Sequence, residues 1–127
     1  MDSDGYKVLV CGGRNYNDTA SVWFMLNEMN AARPITQIIH GDATGADNAA
    51  KRWAENNNVG QYMFPVSKQE WREIGRKAGP LRNQRMLDLG KPDVVVAFPG
   101  NTGTADMVRR AEKAGVPVVR VGHDDQT

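Results

Sequence analysis

The run Pro99-Gly100-Asn101-Thr102-Gly103-Thr104 has residue types suited to holding an anion. It follows the apolar stretch Val94 to Phe98 and opens a segment of helical spacing. A buried strand that ends in a glycine-rich turn leaves the first N–H groups of the next helix without partners. Those donors, with the positive end of the helix dipole, attract an anion, most often a phosphate. Glycine lets a ligand approach the backbone closely, and Thr102 and Thr104 add hydroxyl donors. The bland alternative is a strand-to-helix turn that binds nothing. A second turn of the same design, Gly41-Asp42-Ala43-Thr44-Gly45-Ala46-Asp47, follows the apolar Ile38-Ile39. Here Asp42 or Thr44 is expected to cap the helix. Asp47 falls in its first turn, where it either answers the dipole or reaches a ribose hydroxyl. Two such turns point to a nucleotide-like ligand lying across both.

A third strand end carries Cys11-Gly12-Gly13-Arg14-Asn15-Tyr16. Arg14 is either a bidentate phosphate clamp or an exposed loop residue, and Tyr16 either stacks on a base or is half-buried. The one locally basic stretch holds Lys68, Arg72, Arg76, Lys77, Arg82 and Arg85, against Glu70 and Glu73, with Trp71 inside it. Such a run is usually a solvated surface. Gly79-Pro80 is expected to break it, and Arg82-Asn83 then begins a helix near the proposed anion site. Neither phosphate turn has the Gly-Lys-Ser/Thr of a P-loop, and no Gly-x-Gly-x-x-Gly follows the first strand. No metal is expected, because His40 and His123 are far apart and no paired Cys or His spacing occurs. His40 reads as a packed histidine and Cys11 as a small core residue.

These turns need a scaffold that brings strand ends together. Strand patterns at Tyr6 to Cys11, Ile35 to His40, Tyr62 to Phe64, Asp93 to Phe98 and Val116 to Val121 alternate with helical ones. The helical segments run from Asp18 to about Ala32, Ala46 to about Asn56, Leu81 to Leu89 and Gly103 to Ala114, with Ser67 to Ala78 either a short helix or a loop. This alternation predicts a three-layer α/β, Rossmann-like fold, with a mostly parallel five-stranded sheet and helices on both faces. Right-handed crossovers gather the strand-to-helix turns at one edge, where such sheets bind ligands.

The chain has 127 residues, the length of one domain. Its net charge of +1 argues against a bulk electrostatic grip on nucleic acid. One cysteine excludes an internal disulfide. No stretch is long and apolar enough to span a bilayer, and Met1 to Gly5 does not read as a secretory signal. A cytoplasmic protein with no membrane partner is the expectation.

The Pro99 to Thr104 run resembles the Pro-Gly-Gly-x-Gly-Thr motif of the SLOG superfamily, which includes the Smf/DprA and Lonely-guy proteins. The chain is more similar to its small YspA-like branch. The resemblance rests on Cys11 to Arg14, Gly41 to Asp47, Gly79 to Asn83 and Phe98 to Met107, in that order. It implies a Rossmann-like domain that binds a nucleotide or its derivative, with no cofactor of its own. Lonely-guy enzymes cleave the base from a nucleoside monophosphate, and Arg82 lies at a spacing similar to their arginine. Their glutamate position falls on Met107, and Asn101 replaces the second glycine. Asp106 lies one residue earlier, about 100° around a helix, and is expected to point elsewhere.

The first expectation is therefore a binding module: a sensor, carrier or sequestering protein. Gly12, Gly13, Arg14, Gly41, Asp42, Thr44, Gly45, Asp47, Arg82, Asn83, Pro99, Gly100, Asn101, Thr102, Gly103 and Thr104 would contact the ligand. The alternative is an N-glycosidic hydrolase in which Asp106 or Asp47 steadies an oxocarbenium-like ribose and Arg82 orients the 5′-phosphate. A third reading is single-stranded DNA binding through Lys68 to Arg85 and Trp71, as in the DprA relatives. The Lonely-guy likeness also implies a homodimer or tetramer. Trp23, Phe24 and Met25 are adjacent and cannot all face one core, which leaves apolar surface for a partner.

Overall fold

The computed structural model describes residues 5–122; His123 and nearly all of the Met1 to Gly5 segment lie outside them. Five strands, β1 (Lys7–Cys11), β2 (Gln37–His40), β3 (Gly60–Met63), β4 (Val94–Ala97) and β5 (Val118–Arg120), alternate with helices. These are α1 (Thr19–Ala32), α2 (Ala46–Asn56), α3 (Lys68–Ile74), α4 (Ala78–Gly90) and α5 (Thr102–Lys113), with a 3₁₀ turn at Gly75–Lys77. The sheet is parallel throughout, in the order β3-β2-β1-β4-β5. This is the expected Rossmann-like α/β architecture.

Alternation along β1 divides the core. Val8 and Val10 join Val22, Leu26, Ala50, Trp53 and Phe98 under α1 and α2. Leu9 and Cys11 join Ile39, Met86, Val95, Met107 and Ala111 under α4 and α5. A strand buried on both faces must be apolar at every position, so β1 and β4 read as continuous hydrophobic runs. Trp53 is fully buried and its indole N–H donates to Asn27 Oδ1 at 2.8 Å. Phe24, by contrast, stays 63% exposed, as the crowding of three adjacent large side chains required.

Asp18 caps α1 by accepting from Ser21 N at 3.1 Å, and the helix stops before Pro34, which disfavours helical backbone at the residue preceding it. Ser67 and Glu70 form a capping box on α3, so the charged Ser67 to Ala78 stretch is helical. Gly79-Pro80 does not break the chain as expected. Both lie in the first turn of α4, where a missing proline N–H costs nothing. No helix among the described residues is long and apolar enough to cross a membrane.

β2 and β3 lie on one side of β1, and β4 and β5 on the other. The chain therefore reverses its direction of travel between β1 and β4. Cys11 and Ala97 end these neighbours in register, and the turns that follow them diverge. A crevice at such a reversal is where open α/β sheets bind ligands.

Candidate ligand cleft

The three glycine-bearing turns pack into one unit. Gly13 N donates to Pro99 O at 2.8 Å, tying the turn after β1 to the turn after β4. Thr44 Oγ1 donates to Arg14 O at 3.0 Å and Ala46 N to Gly13 O at 3.3 Å, which ties in the turn after β2. The glycines permit this approach. A Cβ on Gly12 would lie 2.6 Å from Ala46 Cβ, and one on Gly100 would lie 2.7 Å from Gly13 N. Beside this unit lies a cleft of about 960 Å³, within the usual range for small-molecule sites. Its walls come from the turns after β1 and β4, from α3, and from the first turns of α4 and α5.

The N-terminal end of α5 opens into this cleft. Asn101 makes no side-chain cap, and the first turn carries no acidic residue. Asn101, Thr102 and Gly103 are exposed, and a Cβ added to Gly103 would meet no protein atom within 4 Å. This glycine is not required by the packing of the chain. It leaves open space on the first turn of the uncapped helix, with Pro99, Gly100 and Thr104 completing the wall.

The second turn is different, because the chain supplies its own anion. Asp47 is buried and accepts from Gly41 N at 3.0 Å and Ala43 N at 3.3 Å. Burial raises its pKa, against the opposing influence of His40, of Arg82 and of the two N–H donors. Neither Asp42 nor Thr44 caps α2 as expected. Gly45 stands at the cap, Thr44 is turned to Arg14, and Asp42 N donates to His40 Nδ1 at 3.0 Å. The proton of that buried imidazole therefore sits on Nε2, which donates to Gln61 Oε1 at 2.9 Å. Ala43 and Asp47 line the cleft, whereas Gly41, Asp42, Thr44 and Gly45 stand behind it.

Arg82 lines the cleft but is largely committed to the scaffold. Its Nη1 donates to Gly41 O at 2.8 Å and to Phe64 O at 3.2 Å, and its Nε to Asn83 Oδ1 at 3.2 Å. It thus staples the ends of β2 and β3 to α4. Its guanidinium fills the space where a side chain at position 41 would begin, which accounts for Gly41. Asn83 in turn donates to Gly103 O at 3.2 Å and to Asp106 Oδ2 at 3.0 Å, joining α4 to the first turn of α5.

Asp106 also faces the cleft, contrary to the expectation that it points elsewhere. It receives Arg110 Nε at 2.8 Å and Arg109 Nη2 at 2.9 Å in addition to Asn83. Burial works to raise its pKa, but the Arg110 and Asn83 bonds and the two arginine charges outweigh it and hold the carboxyl below its ordinary value. A depressed carboxylate contributes stability above its unfolded pKa and loses it as pH falls through the folded one. Wild type is therefore expected to lose stability below about pH 4, and Asp106→Asn to flatten that part of the curve. Urea midpoints between about pH 2 and pH 6 test this; parallel curves would remove Asp106 from the acid response.

Cations remain at the mouth. Among the described residues, neither Arg14 nor Arg76 has a carboxylate partner. Arg14 lies over the indole of Trp71, 5.5 Å from the ring centroid, and Tyr16 packs on Phe98 with centroids 5.7 Å apart. Arg76 and Arg109 line the cleft and were not singled out as ligand contacts from the sequence. Arg109 follows Asp106 by one helical turn, a spacing that could have flagged it. Cys11 also faces the cleft, but burial, then Asp47, pushes its thiol up to about 12. It is expected to resist iodoacetamide in the native state at about pH 8 and to react freely in urea. Rapid native alkylation, read by mass spectrometry, would contradict that. No His/Cys/Asp/Glu cluster fit to hold a metal occurs among the described residues.

The model of the YAcAr family, described as the YspA, cpYpsA-related SLOG family, matches residues 6–71, just over half of the chain. The chain belongs to this SLOG family. Gene 61 protein of Mycobacterium phage D29 is 38% identical over 121 residues, spanning 91% of this chain and 96% of that protein. Among solved structures, the chain is similar to DNA processing protein A (DprA) from Streptococcus pneumoniae, with a TM-score of 0.76 and 19% identity. That likeness covers 96% of this chain but only 52% of DprA, so the SLOG chain spans about half of the protein it overlays. At this identity the overlay shows a shared fold.

Proposed function

We propose that the cleft binds a nucleotide or a phosphorylated nucleoside derivative, as a sensor, carrier or sequestering protein would. The phosphate rests on the open N-terminal end of α5, and Arg14 supplies charge beside it. The observation that carries this reading is the first turn of α5, which has no side-chain cap, lines a cleft of about 960 Å³, and at Gly103 carries a Cβ position that no packed atom approaches within 4 Å. Such a terminus offers convergent N–H donors and a favourable dipole. Family membership in the SLOG group supports a nucleotide-related ligand.

Binding is favoured over hydrolysis by the state of the two carboxylates. Asp47 accepts two N–H groups of its own turn on Oδ2, and Asp106 is gripped by an asparagine and two arginines. Asp106 is held below its ordinary carboxyl range and Asp47 is engaged with its own turn, so neither stands as a free nucleophile. Asp47, Arg82 and Asn83 act as positioning residues, while Gly12, Gly13, Pro99, Gly100, Asn101, Thr102 and Thr104 shape the wall. The exposed Phe24, Leu81 and Leu89 support self-association into a dimer or tetramer, which sedimentation would test.

The deciding experiment incubates the protein with AMP, NAD and ADP-ribose, with calorimetry for binding and chromatography for products. Saturable binding without turnover is expected. Release of free base that disappears in Asp106→Ala would replace the binder with a hydrolase. Retardation of a single-stranded oligonucleotide at low salt, without mononucleotide binding, would replace it with a DNA-binding surface.

A further inference from the structure

We propose that Trp71 is the base platform of this cleft, and that a flat nucleobase takes the place of Arg14 on its indole face while Arg14 turns to the phosphate. This deepens the phosphate reading above and rests on it. Three observations carry it. Arg14 and Trp71 meet across the mouth, one from the turn after β1 and the other from α3, and both line the cleft. Arg14 has no other side-chain partner among the described residues, so this contact is all that engages its charge. Trp71 is 37% exposed on a helix that buries no residue, an unusual place for an indole unless its face is used.

The exchange is favourable on both sides. An exposed cation–π contact is weak, whereas a phosphate gives Arg14 two charge-assisted bonds. The vacated indole gains a base, whose broad ring stacks more strongly than a guanidinium held at the rim. The helix can make room. The ring edge of Trp71 lies over Gly79, whose Cβ position is 3.8 Å from Trp71 Cη2, so no side chain wedges beneath it. Gly75 ends α3 at φ 72 with no atom within 4 Å of its Cβ position, leaving open space where the helix joins the 3₁₀ turn. Glu70 of α3 pairs with Arg85 of α4 at 3.4 Å, which tethers the helix apart from Trp71.

The two exchanges are coupled. A phosphate alone strips Trp71 of its partner, and a base alone leaves Arg14 unpaired. A ligand carrying both groups avoids either loss, so the site selects nucleotides over sugar phosphates and over nucleosides.

Calorimetry with AMP, ribose 5-phosphate and adenosine tests this on wild type, Trp71→Leu and Trp71→Phe. AMP is expected to bind wild type roughly 10-fold more tightly than ribose 5-phosphate, and Trp71→Leu to erase that gap with Trp71→Phe retaining part of it. Ribose 5-phosphate is expected to bind Trp71→Leu no worse than wild type. AMP should also quench a tryptophan signal that is absent in Trp71→Leu, since Trp23 and Trp53 are engaged with Ala49 and Asn27 beneath α1 and α2. Equal affinity of wild type for AMP and ribose 5-phosphate would overturn the platform while leaving the phosphate site standing. Failure of both to bind would overturn the two together. Because α3 buries no side chain, the variants are expected to unfold at the wild-type midpoint, which thermal melts check.

Discussion

Gly103→Val is expected to abolish nucleotide binding while leaving the fold as stable as before. Its Cβ position has no packed atom within 4 Å, so the new side chain is expected to be accommodated without moving the backbone and to crowd the first turn of α5. Glycine within a helix is already unfavourable by about 0.5–1 kcal/mol relative to alanine, and valine recovers part of that. The unfolding midpoint should therefore stay within about 0.5 kcal/mol of wild type. Binding should suffer far more. A hydrogen bond to a charged group contributes about 1.5–3 kcal/mol, so losing two weakens affinity by roughly 100-fold or more. Calorimetry with AMP beside a urea titration separates the effects. Undiminished binding in Gly103→Val would place the phosphate elsewhere in the cleft.

Gly45→Ala is expected to do the reverse at the neighbouring turn, costing the protein about 3 kcal/mol of stability. Gly45 stands at φ 77 and ψ −129, a region that side chains rarely enter. Its Cβ would also strike the carbonyls of Gly13 and Arg14, which belong to another turn and cannot yield independently. At this chain length the melting temperature should fall by about 10 °C. Gly45 lies behind the cleft, so ligand affinity should decline only as far as the turns separate. A melting temperature within a degree or two of wild type would show that the turns are not interlocked here.

Much of the fold was legible because each strand announces itself. The continuous run Val94 to Phe98 suits only a strand covered on both faces, and the glycine after each run marks the turn. The turn that opens α5 is legible, as a turn, for the same reason. The role of the second turn is not, since nothing local in Gly41 to Asp47 tells whether its amides await a ligand or are met by Asp47. Arg82 shows the limit more sharply. An arginine beside a glycine-rich turn reads as a phosphate clamp, yet its acceptors are main-chain carbonyls 41 and 18 residues away. Backbone acceptors carry no residue-type signature. Helical rotation away from Met107 does not take Asp106 out of the cleft, because the cleft is wide enough to be lined by both residues.

The order of the strands has a consequence for how the protein comes into being. β1 pairs with β2 across one helix, but its other neighbour, β4, arrives only after two more crossovers, and Lys7 bonds to an aspartate 86 residues away. Contacts of such separation form slowly, because loop closure precedes any reward. On a growing chain, β1, α1, β2 and α2 have already been made while the α3, α4 and α5 walls of the cleft are still to be synthesised. Completion of the cleft is thus a late event in maturation, reached when β4 docks and brings Pro99 against Gly13.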